Sequence, residues 1–489
     1  MNPLKKNGGW KVWLFLVLLL SLAINFWGIA SESLWLDESV SVKQAQASYR
    51  DLLEMAKKDV HPPLHVSILH AWIKIFGVSE LAVRSLSAIT GALSVLAIFL
   101  LAKTLFSTRT ALISSLLLSL SPFAVYYSQE ARMYSLFLLL SILSFLFFAK
   151  YCFEKNRSSL LPYTIFSVLM VYTHFFSFLV LLVQNAYMLY KSNFRIKALY
   201  EWISSQAIIG LLFIPWLIIL LGKSRGVDGV SWIPTPGIEM AKAFILAFFS
   251  SYNSFIVFAL LLISIIAAKK FKDFEKERIF FLASWLFLPF ITIILYSIFI
   301  FPVYQERYMI FVLPAILIVF SSLLTRVYLS NKKIFYFALV ITAILTAIPL
   351  VEQATTRQKD DWRSIAGYLQ ENFSGGEYIF VDPFYNLDVF SYYYARECFH
   401  EFYADPCAYE RYDVLTLTWQ EECCDDDTVL TATHGGNTLA RFKNETIWVI
   451  SARPEEHHED ISLIDYFMEF KELAIVEEFI GGISVYKFE

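Results

Sequence analysis

Charged residues are scarce in this 489-residue sequence: they make up 17% of the chain, against about 25% in ordinary soluble domains. The formal net charge is −4, and long basic runs with interleaved aromatic residues are missing. The composition therefore excludes the basic footprint of a nucleic-acid-binding protein, and no nucleic-acid partner is expected. In place of charge, 57% of the chain is hydrophobic, with 45 phenylalanines and 27 tyrosines. This composition is typical of a polytopic membrane protein with some soluble mass attached.

About eleven apolar stretches approach or exceed the roughly 17–25 residues that a membrane-spanning helix needs. They lie at 12–30, 81–102, 110–127, 133–149, 158–173, 175–190, 202–221, 238–268, 279–301, 308–325 and 334–351. We therefore expect a polytopic α-helical membrane domain over residues 1–351.

Lysine and arginine concentrate in alternate connecting segments, which orients the predicted helices. They precede the first span and recur near 103–109, 150–157, 191–197, 269–278 and 326–333. By the positive-inside rule these segments are cytoplasmic. The protein is then a multi-pass plasma-membrane protein with a cytoplasmic N-terminus and an outer C-terminal domain. The first span is too long for a signal peptide, and it lacks a small-residue cleavage site.

The longest early loop, residues 31–80, lies on the outer face in this topology. It opens with "LWLDES", which places the adjacent carboxylates Asp37 and Glu38 just after the first span. "SVKQAQASYRDLLEMAKK" predicts a short helix, and "LHVSILHAWIKIF" an interfacial helix lying along the membrane, too short to span it. One hypothesis is that the two carboxylates only cap a helix that starts near Ser39. The other is that they serve chemistry.

Arginines on the outer face break the positive-inside trend. Arg132 lies in "YYSQEARMYS", Arg225 in "GKSRGVDG" and Arg307 in "VYQERYM". An arginine at membrane depth costs ~2.5–3.5 kcal/mol on insertion scales unless it is paired or wetted. Any one of these arginines can be explained by snorkelling, in which the side chain extends so that its guanidinium group reaches water. Several arginines converging on one face, opposite a loop with carboxylates, favour a phosphate-binding site.

Four motifs together resemble a known family. "LWLDES", "HPPLH", "SQEARMYSL" and "YQERYMIFVLP" follow one another over roughly residues 10–350. This set is similar to the GT-C superfamily, and specifically to glycosyltransferase family 39, which includes protein O-mannosyltransferases and lipid A aminoarabinose transferases. The resemblance implies a polyprenyl-phosphate-linked sugar donor and inversion at the anomeric carbon. It also implies that Asp37 faces the acceptor as a base and that His61 stands near the lipid phosphate, where relatives have a basic residue.

The chemistry of the residues agrees with this resemblance. A positioned carboxylate base increases the rate of attack by a hydroxyl nucleophile by about 10²–10⁴-fold. Arginines matching the charge of a leaving phosphate make a general acid unnecessary. Asp37 and Glu38 are consecutive and do not share a helix face, so they cannot stand astride a glycosidic bond as in hydrolases. We expect Asp37 in the site and Glu38 bracing it or capping the helix.

Other polar residues carry two interpretations each. Glu130 and Glu306 precede outer-face arginines, which suits local ion pairing or acceptor binding equally. Tyr134 and Tyr308 belong to an interfacial aromatic belt or line a sugar pocket. His174, in a tight outer turn, is expected to be structural. His61, His65 and His70 suggest a divalent metal, but the Pro-Pro insertion spoils helical ligand spacing, so no metal or other cofactor is favoured.

Residues 352–489 are polar and predict a small extracytoplasmic α/β domain, a lid or acceptor-binding module. "DDWRSIAGYLQENF" predicts a helix, "GEYIFVD" and "TIWVIS" predict strands, and "EEFIGGISVYKF" predicts a hairpin. On an oxidising outer face Cys398, Cys407, Cys423 and Cys424 could form two disulfides, with zinc as the alternative.

The expected function is transfer of a sugar from a polyprenyl-phosphate donor to a hydroxyl of a protein, lipid or glycan on the outer face of the bilayer. The alternative is a secondary transporter or a flippase for lipid-linked sugars. Transporters place ionisable groups near the bilayer midplane and often contain repeated halves. This sequence shows neither an internal repeat nor a midplane acid, so the transferase hypothesis is favoured.

Overall fold

The structure is a computed structural model that falls into two units. It describes residues 9–59, 61–193, 199–222, 233, 235, 237–249, 252–267, 276–356, 359–373, 377–382, 384–394, 414–415, 445–452, 463–468 and 471–489. The helical unit comprises 1–29, 50–72 and 82–355. The α/β unit comprises 356–489 together with two stretches of the early loop, 30–49 and 73–81.

Helices form most of the chain up to residue 355. In order they are α1 (Gly9–Phe26), α2 (Leu36–Gln46), α3 (Tyr49–Lys58), α4 (Leu64–Phe76), α5 (Glu80–Leu105), α6 (Thr108–Ser119), α7 (Pro122–Ser128), α8 (Tyr134–Phe153), α9 (Leu160–Val171), α10 (Ser177–Ser192), α11 (Tyr200–Gly222), α12 (Ile238–Phe249), α13 (Tyr252–Ala267), α14 (Lys276–Phe299), α15 (Leu313–Ser330) and α16 (Lys332–Thr355). A 3₁₀ segment, Glu306–Val312, leads directly into α15.

Within the described residues, seven helical segments are long and apolar enough to cross a membrane. They are α1, α5, α8, α11, α14, Glu306–Ser330 and α16, and α6 with α7, bent by 60°, would raise the number to eight. The fold class is confirmed, but the predicted count of eleven spans is not. The predicted spans 158–173 and 175–190 correspond to helices α9 and α10 of 12 and 16 residues, and 238–268 is divided between α12 and α13.

Polar side chains bridge the helices of the helical unit. The Tyr163 hydroxyl donates to Gln184 Oε1 at 3.0 Å and accepts from Gln206 Nε2 at 3.0 Å. Gln184 Nε2 in turn donates to Ser144 Oγ at 2.9 Å. Side-chain hydrogen bonds of this kind hold apolar helices together where lipid removes the hydrophobic driving force. They join α8, α9, α10 and α11, and the turn between α9 and α10 contains His174.

The early loop is helical, as predicted, with one difference. The helix expected over residues 41–58 is divided between two helices, because Ala47 adopts extended backbone between α2 and α3. The helix predicted over "LHVSILHAWIKIF" is present as α4, and Gly77 ends it with φ +81°. This positive φ is one that glycine adopts without a steric penalty.

The α/β unit contains a five-stranded mixed sheet. Its elements are α17 (Trp362–Asn372), β1 (Tyr378–Asp382), α18 (Leu387–Tyr394), β2 (Val414–Leu415), β3 (Ile447–Ala452), α19 (Leu463–Met468), β4 (Leu473–Phe479) and β5 (Ile483–Phe488). The strand order is β2-β1-β3-β5-β4. β1 is parallel to β2 and β3, whereas β5 is antiparallel to β3 and β4. The helix, the strands and the hairpin predicted from the sequence are confirmed.

Alternation along the strands gives the sheet two buried faces. Ile379, Trp448 and Val485 pack with Trp362 and Phe390 of α17 and α18. Phe380, Val449 and Phe488 pack on the other side with Phe467 of α19. Because successive strand residues point to opposite faces, one sheet supports helices on both sides. The α/β unit therefore has its own core.

Candidate functional site

His174 lies at the centre of an aromatic group in the helical unit. It occupies the turn between α9 and α10, and its ring stacks on Phe137 with the centroids 4.9 Å apart. Tyr134, the first residue of α8, lies 6.0 Å from the His174 ring. Tyr308 of the 3₁₀ segment lies 5.2 Å away. Three separate parts of the chain thus meet at one histidine.

Two arginines and a second histidine lie around this aromatic group. The Arg307 guanidinium lies 5.9 Å from the centre of the Tyr134 ring and 5.6 Å from that of Tyr308. Both distances are in the range of a cation–π contact. His61 lies 6.0 Å from His174 between ring centroids. Arg132, at 6% exposure, also acts electrostatically on His174.

His174 is held neutral with a defined tautomer. Burial, followed by His61, Arg132 and Arg307, holds the pKa of His174 well below its ordinary value. The backbone N–H of Phe176 donates to Nδ1 of His174 at 3.1 Å. In a neutral imidazole whose Nδ1 accepts, the proton is on Nε2. That buried Nε2–H has no hydrogen-bond partner among the described residues, so it is available to an acceptor.

His65 of α4 is a second buried histidine near the same cations. Burial, then Arg132 and His61, lowers the pKa of His65 to about 3. Its Nε2 likewise has no hydrogen-bond partner within the part of the chain that the structure describes. Neutral imidazoles beside guanidinium groups suit an anion, because they add hydrogen bonds without losing the attraction of the arginines.

Two carboxylates and one carboxylate-bound histidine complete the predicted residues of the helical unit. Glu130 is fully buried between α7 and α8. Glu306 is the first residue of the 3₁₀ segment. The pKa of the Tyr304 hydroxyl is raised mainly by burial and, to a lesser extent, by the negative charge of Glu306. His61 Nδ1 lies 3.0 Å from Asp59 Oδ1. His61 is therefore tied to its own loop as well as lying beside His174.

An apolar cavity lies between the helices of the same unit. Its lining consists of Leu117, Ser121, Phe248, Phe249, Phe258, Ile316, Leu317, Phe320, Thr342, Leu345 and Thr346. Phe248 contacts Phe123 at 5.0 Å, Phe123 contacts Tyr127 at 5.1 Å, and Tyr127 contacts Tyr134 at 5.0 Å between ring centroids. A continuous series of aromatic rings therefore joins this cavity to the arginine and histidine cluster.

Asp37 and Glu38 belong to the α/β unit, in the first turn of α2. The helix starts at Leu36 rather than near Ser39. Glu38 is fully buried, accepts the backbone N–H of Trp35 at 3.4 Å, and pairs with Lys359 Nζ at 2.9 Å. The two carboxylates thus differ, because Glu38 caps the helix and is ion-paired while Asp37 is partly exposed.

The structure brings together part of the predicted site. Around His174 lie the predicted residues His61, Arg132, Tyr134, Arg307 and Tyr308. Arg225 and Cys398, Cys407, Cys423 and Cys424 lie outside the described residues. The sequence predicts a structural role for His174 rather than a catalytic one. It does lie in a turn, and the structure adds its contacts with the cluster. Lys359 had no sequence signal, because a lysine in a polar segment does not indicate a partner 321 positions away.

The comparisons with known proteins agree with the motifs. The family model of dolichyl-phosphate-mannose-protein mannosyltransferases matches residues 60–219. The crystal structure of ArnT from Cupriavidus metallidurans in the apo state is similar with TM-score 0.65 and 12% identity, covering 98% of each chain. The same protein bound to undecaprenyl phosphate gives TM-score 0.62 and 10% identity, again over 98% of each chain.

A third solved structure is more distant. The Archaeoglobus fulgidus oligosaccharyltransferase in the apo form has TM-score 0.55 and 13% identity, with 80% of this chain and 64% of that chain covered. A search of curated protein sequences finds no match. At these identities the structural likeness shows the fold, whereas the family model supports glycosyltransferase chemistry with a lipid-linked sugar. The predicted resemblance to the GT-C superfamily is confirmed.

Proposed function

We propose that this GT-C-fold protein is an inverting glycosyltransferase that moves a sugar from a polyprenyl-phosphate donor to a hydroxyl group of a protein, lipid or glycan. The observation that carries the proposal is the cluster around His174. It combines two arginines, two histidines held neutral and tyrosine rings in one buried place. Such a set of donors suits a phosphate attached to an apolar chain.

The reaction is a single displacement. Asp37 takes the proton of the acceptor hydroxyl, whose oxygen forms a bond to the anomeric carbon. The bond from that carbon to the phosphate oxygen breaks, and the polyprenyl phosphate leaves with the electron pair. Attack opposite to the leaving group inverts the anomeric centre. The arginines stabilise the charge that develops on the phosphate, so no general acid is required.

Arg132 and Arg307 are the proposed phosphate ligands, with His61 as a further contact and Arg225 assigned by sequence alone. His174 adds a neutral N–H donor that points to no other described group. Glu130, Glu306, Tyr134 and Tyr308 are proposed to line the sugar or acceptor pocket. The apolar cavity joined to Tyr134 by aromatic rings suits the first isoprene units of the donor.

The outer face is the proposed location of the reaction. The support is the asymmetry of lysine and arginine among the connecting segments. The polyprenyl chain would remain in the bilayer while its phosphate and sugar meet the acceptor at the surface.

A turnover assay tests the proposed function. The purified protein in detergent is given undecaprenyl-phosphate-linked mannose, glucose and aminoarabinose in turn, with membrane extract as acceptor. Release of undecaprenyl phosphate and appearance of the sugar on extract components are measured. We expect one donor to be consumed by the wild type and not by Asp37→Asn. Equal consumption by both proteins would reject Asp37 as the base. Movement of intact lipid-linked sugar across vesicles, without sugar transfer, would favour the flippase.

A further inference from the structure

The α/β unit contains a buried ion pair that joins its C-terminal segment to the turn bearing Asp37. Lys359 Nζ lies 2.9 Å from Glu38 Oε2, and the side chains are 6% and 0% exposed. A buried carboxylate is costly unless a partner neutralises it. Lys359 is that partner, although the two residues are 321 positions apart.

Glu38 in turn shapes the first turn of α2. Its Oε2 accepts a hydrogen bond from the backbone N–H of Trp35 at 3.4 Å, and this contact caps the N-terminus of α2. Ser41 Oγ donates to the carbonyl of Asp37 at 3.0 Å, and Ser39 Oγ donates to that of Leu36 at 2.7 Å. Since Asp37 lies inside this turn, the direction of its carboxylate depends on the backbone that Glu38 holds.

Further contacts attach the same stretch to residues after 356. Glu32 Oε1 accepts the backbone N–H of Lys359 at 3.3 Å, and Ser33 Oγ accepts that of Arg363 at 3.1 Å. The backbone N–H of Leu34 donates to the Tyr393 hydroxyl at 2.6 Å. At the other end of α2, Lys43 pairs with Asp388 of α18. The segment 32–43 is thus fixed at both ends by residues 359–393.

We propose that Lys359 is a positioning residue for the transfer reaction. It pairs with Glu38, and Glu38 stabilises the first turn of α2, which orients the carboxylate of Asp37. In this way a residue of the C-terminal segment supports the proposed catalytic base. The inference rests on the proposed function and assigns a new role within it. In this mechanism Lys359 touches neither substrate nor reacting atoms.

The test compares Lys359→Met with Lys359→Arg in purified protein. Turnover is measured per folded molecule with the undecaprenyl-phosphate sugar that the wild type consumes, and affinity with undecaprenyl phosphate alone. We expect the methionine variant to lose about 10- to 100-fold in kcat, because a misaimed base costs this much. Its affinity for undecaprenyl phosphate should not change, and arginine should recover most of kcat.

A second variant addresses loss of folding. Glu38→Gln combined with Lys359→Met removes both charges, a change that buried ion pairs often tolerate. We expect this double variant to fold and still turn over slowly. Lys487→Met is the matched control, since Lys487 of β5 pairs with Glu377 at 3.3 Å with little exposure, and its contacts among the described residues, Glu377, Glu489 and Trp448, do not include α2. Its kcat per folded molecule should equal that of the wild type.

Unchanged kcat per folded molecule in Lys359→Met and in the double variant, with only a lower melting temperature, would make the ion pair purely structural and overturn the inference. The proposed function fails in a different way. In that case the wild type transfers no sugar, or Asp37→Asn remains active.

Discussion

The backbone N–H of Phe176 donates a 3.1 Å hydrogen bond to Nδ1 of His174. This contact within the turn between α9 and α10 determines which imidazole nitrogen carries the proton. Burial and the neighbouring cations keep the ring neutral, so Nε2 is a fixed donor. A neutral donor beside arginines adds a directed hydrogen bond to the charge attraction.

Replacing His174 by phenylalanine should weaken binding of undecaprenyl phosphate. Phenylalanine keeps a ring against Phe137 but has no N–H, and a hydrogen bond to a charged group is worth about 1.5–3 kcal/mol. Phe176→Leu is the matched control, because it changes a neighbouring ring and keeps the backbone donor. Titration of each purified variant with undecaprenyl phosphate measures the effect. Equal affinity in His174→Phe and Phe176→Leu would remove His174 from the donor site.

Arg132 and Arg307 should bind one phosphate together. Each alanine variant should weaken the affinity for undecaprenyl phosphate roughly 10- to 150-fold, the range that corresponds to 1.5–3 kcal/mol. The double variant should lose less than the sum of the two, because residues sharing one partner are not additive. Lysine should recover little, since it cannot reproduce the guanidinium fork.

Arg157→Ala is the control for this double-mutant cycle. Arg157 is 81% exposed and pairs with Glu201 at 2.9 Å on the surface, so its loss should leave the affinity unchanged. Strict additivity of the Arg132 and Arg307 effects would show that the two arginines do not share a ligand.

Asp37→Asn should abolish sugar transfer while the protein still folds and binds undecaprenyl phosphate. The amide of asparagine cannot take the proton of the acceptor hydroxyl. A positioned base contributes about 10²–10⁴-fold to the rate of the reaction. Turnover and affinity are measured on the same preparation. Asp51→Asn, an exposed acid in the first turn of α3, should keep wild-type turnover. Near wild-type activity in Asp37→Asn would require a different base.

The pH dependence of stability should report on His65. The pKa of this buried ring is lowered from 6.5 to about 3, so between these values the unfolded chain binds a proton that the folded protein does not. Folding stability is therefore lost as the pH falls from about 6.5 towards 3, by up to about 1.4 kcal/mol per pH unit.

His65→Gln removes this group and should flatten that slope. Thermal unfolding in detergent at pH 7, 6 and 5 measures it, with Lys57→Gln on the exposed side of α3 as a control that keeps the wild-type slope. An unchanged slope in His65→Gln would mean that other groups govern the acid sensitivity.

Labelling of single cysteines should establish the orientation. A cysteine introduced between 222 and 237 should react with an impermeant reagent on intact cells, and one between 269 and 278 only after permeabilisation. The parent protein with its native cysteines gives the background. The prediction follows from the lysine and arginine asymmetry alone. The opposite labelling pattern would place the proposed reaction on the cytoplasmic side.

Local patterns anticipated the elements well. The apolar, largely β-branched run in "TIWVIS" and the glycine pair at 481–482 predict β3 and the hairpin of β4 and β5, because strand propensity and turn chemistry depend on neighbouring residues. Span counting was less successful. The stretch 238–268 is predicted as one span, whereas its described residues form two helices, since an overall apolar composition does not indicate where a helix ends.

The sequence by itself determined the membrane class of the chain, the α/β character of its C-terminal part and the motifs that resemble the GT-C superfamily. These properties follow from composition, periodicity and short spacings, all of which are local. Only the tertiary structure placed His174 among His61, Arg132 and Arg307, and only it paired Glu38 with Lys359. Such contacts join residues far apart in the chain, and burial then changes their protonation and charge balance. No local pattern of residues encodes that environment.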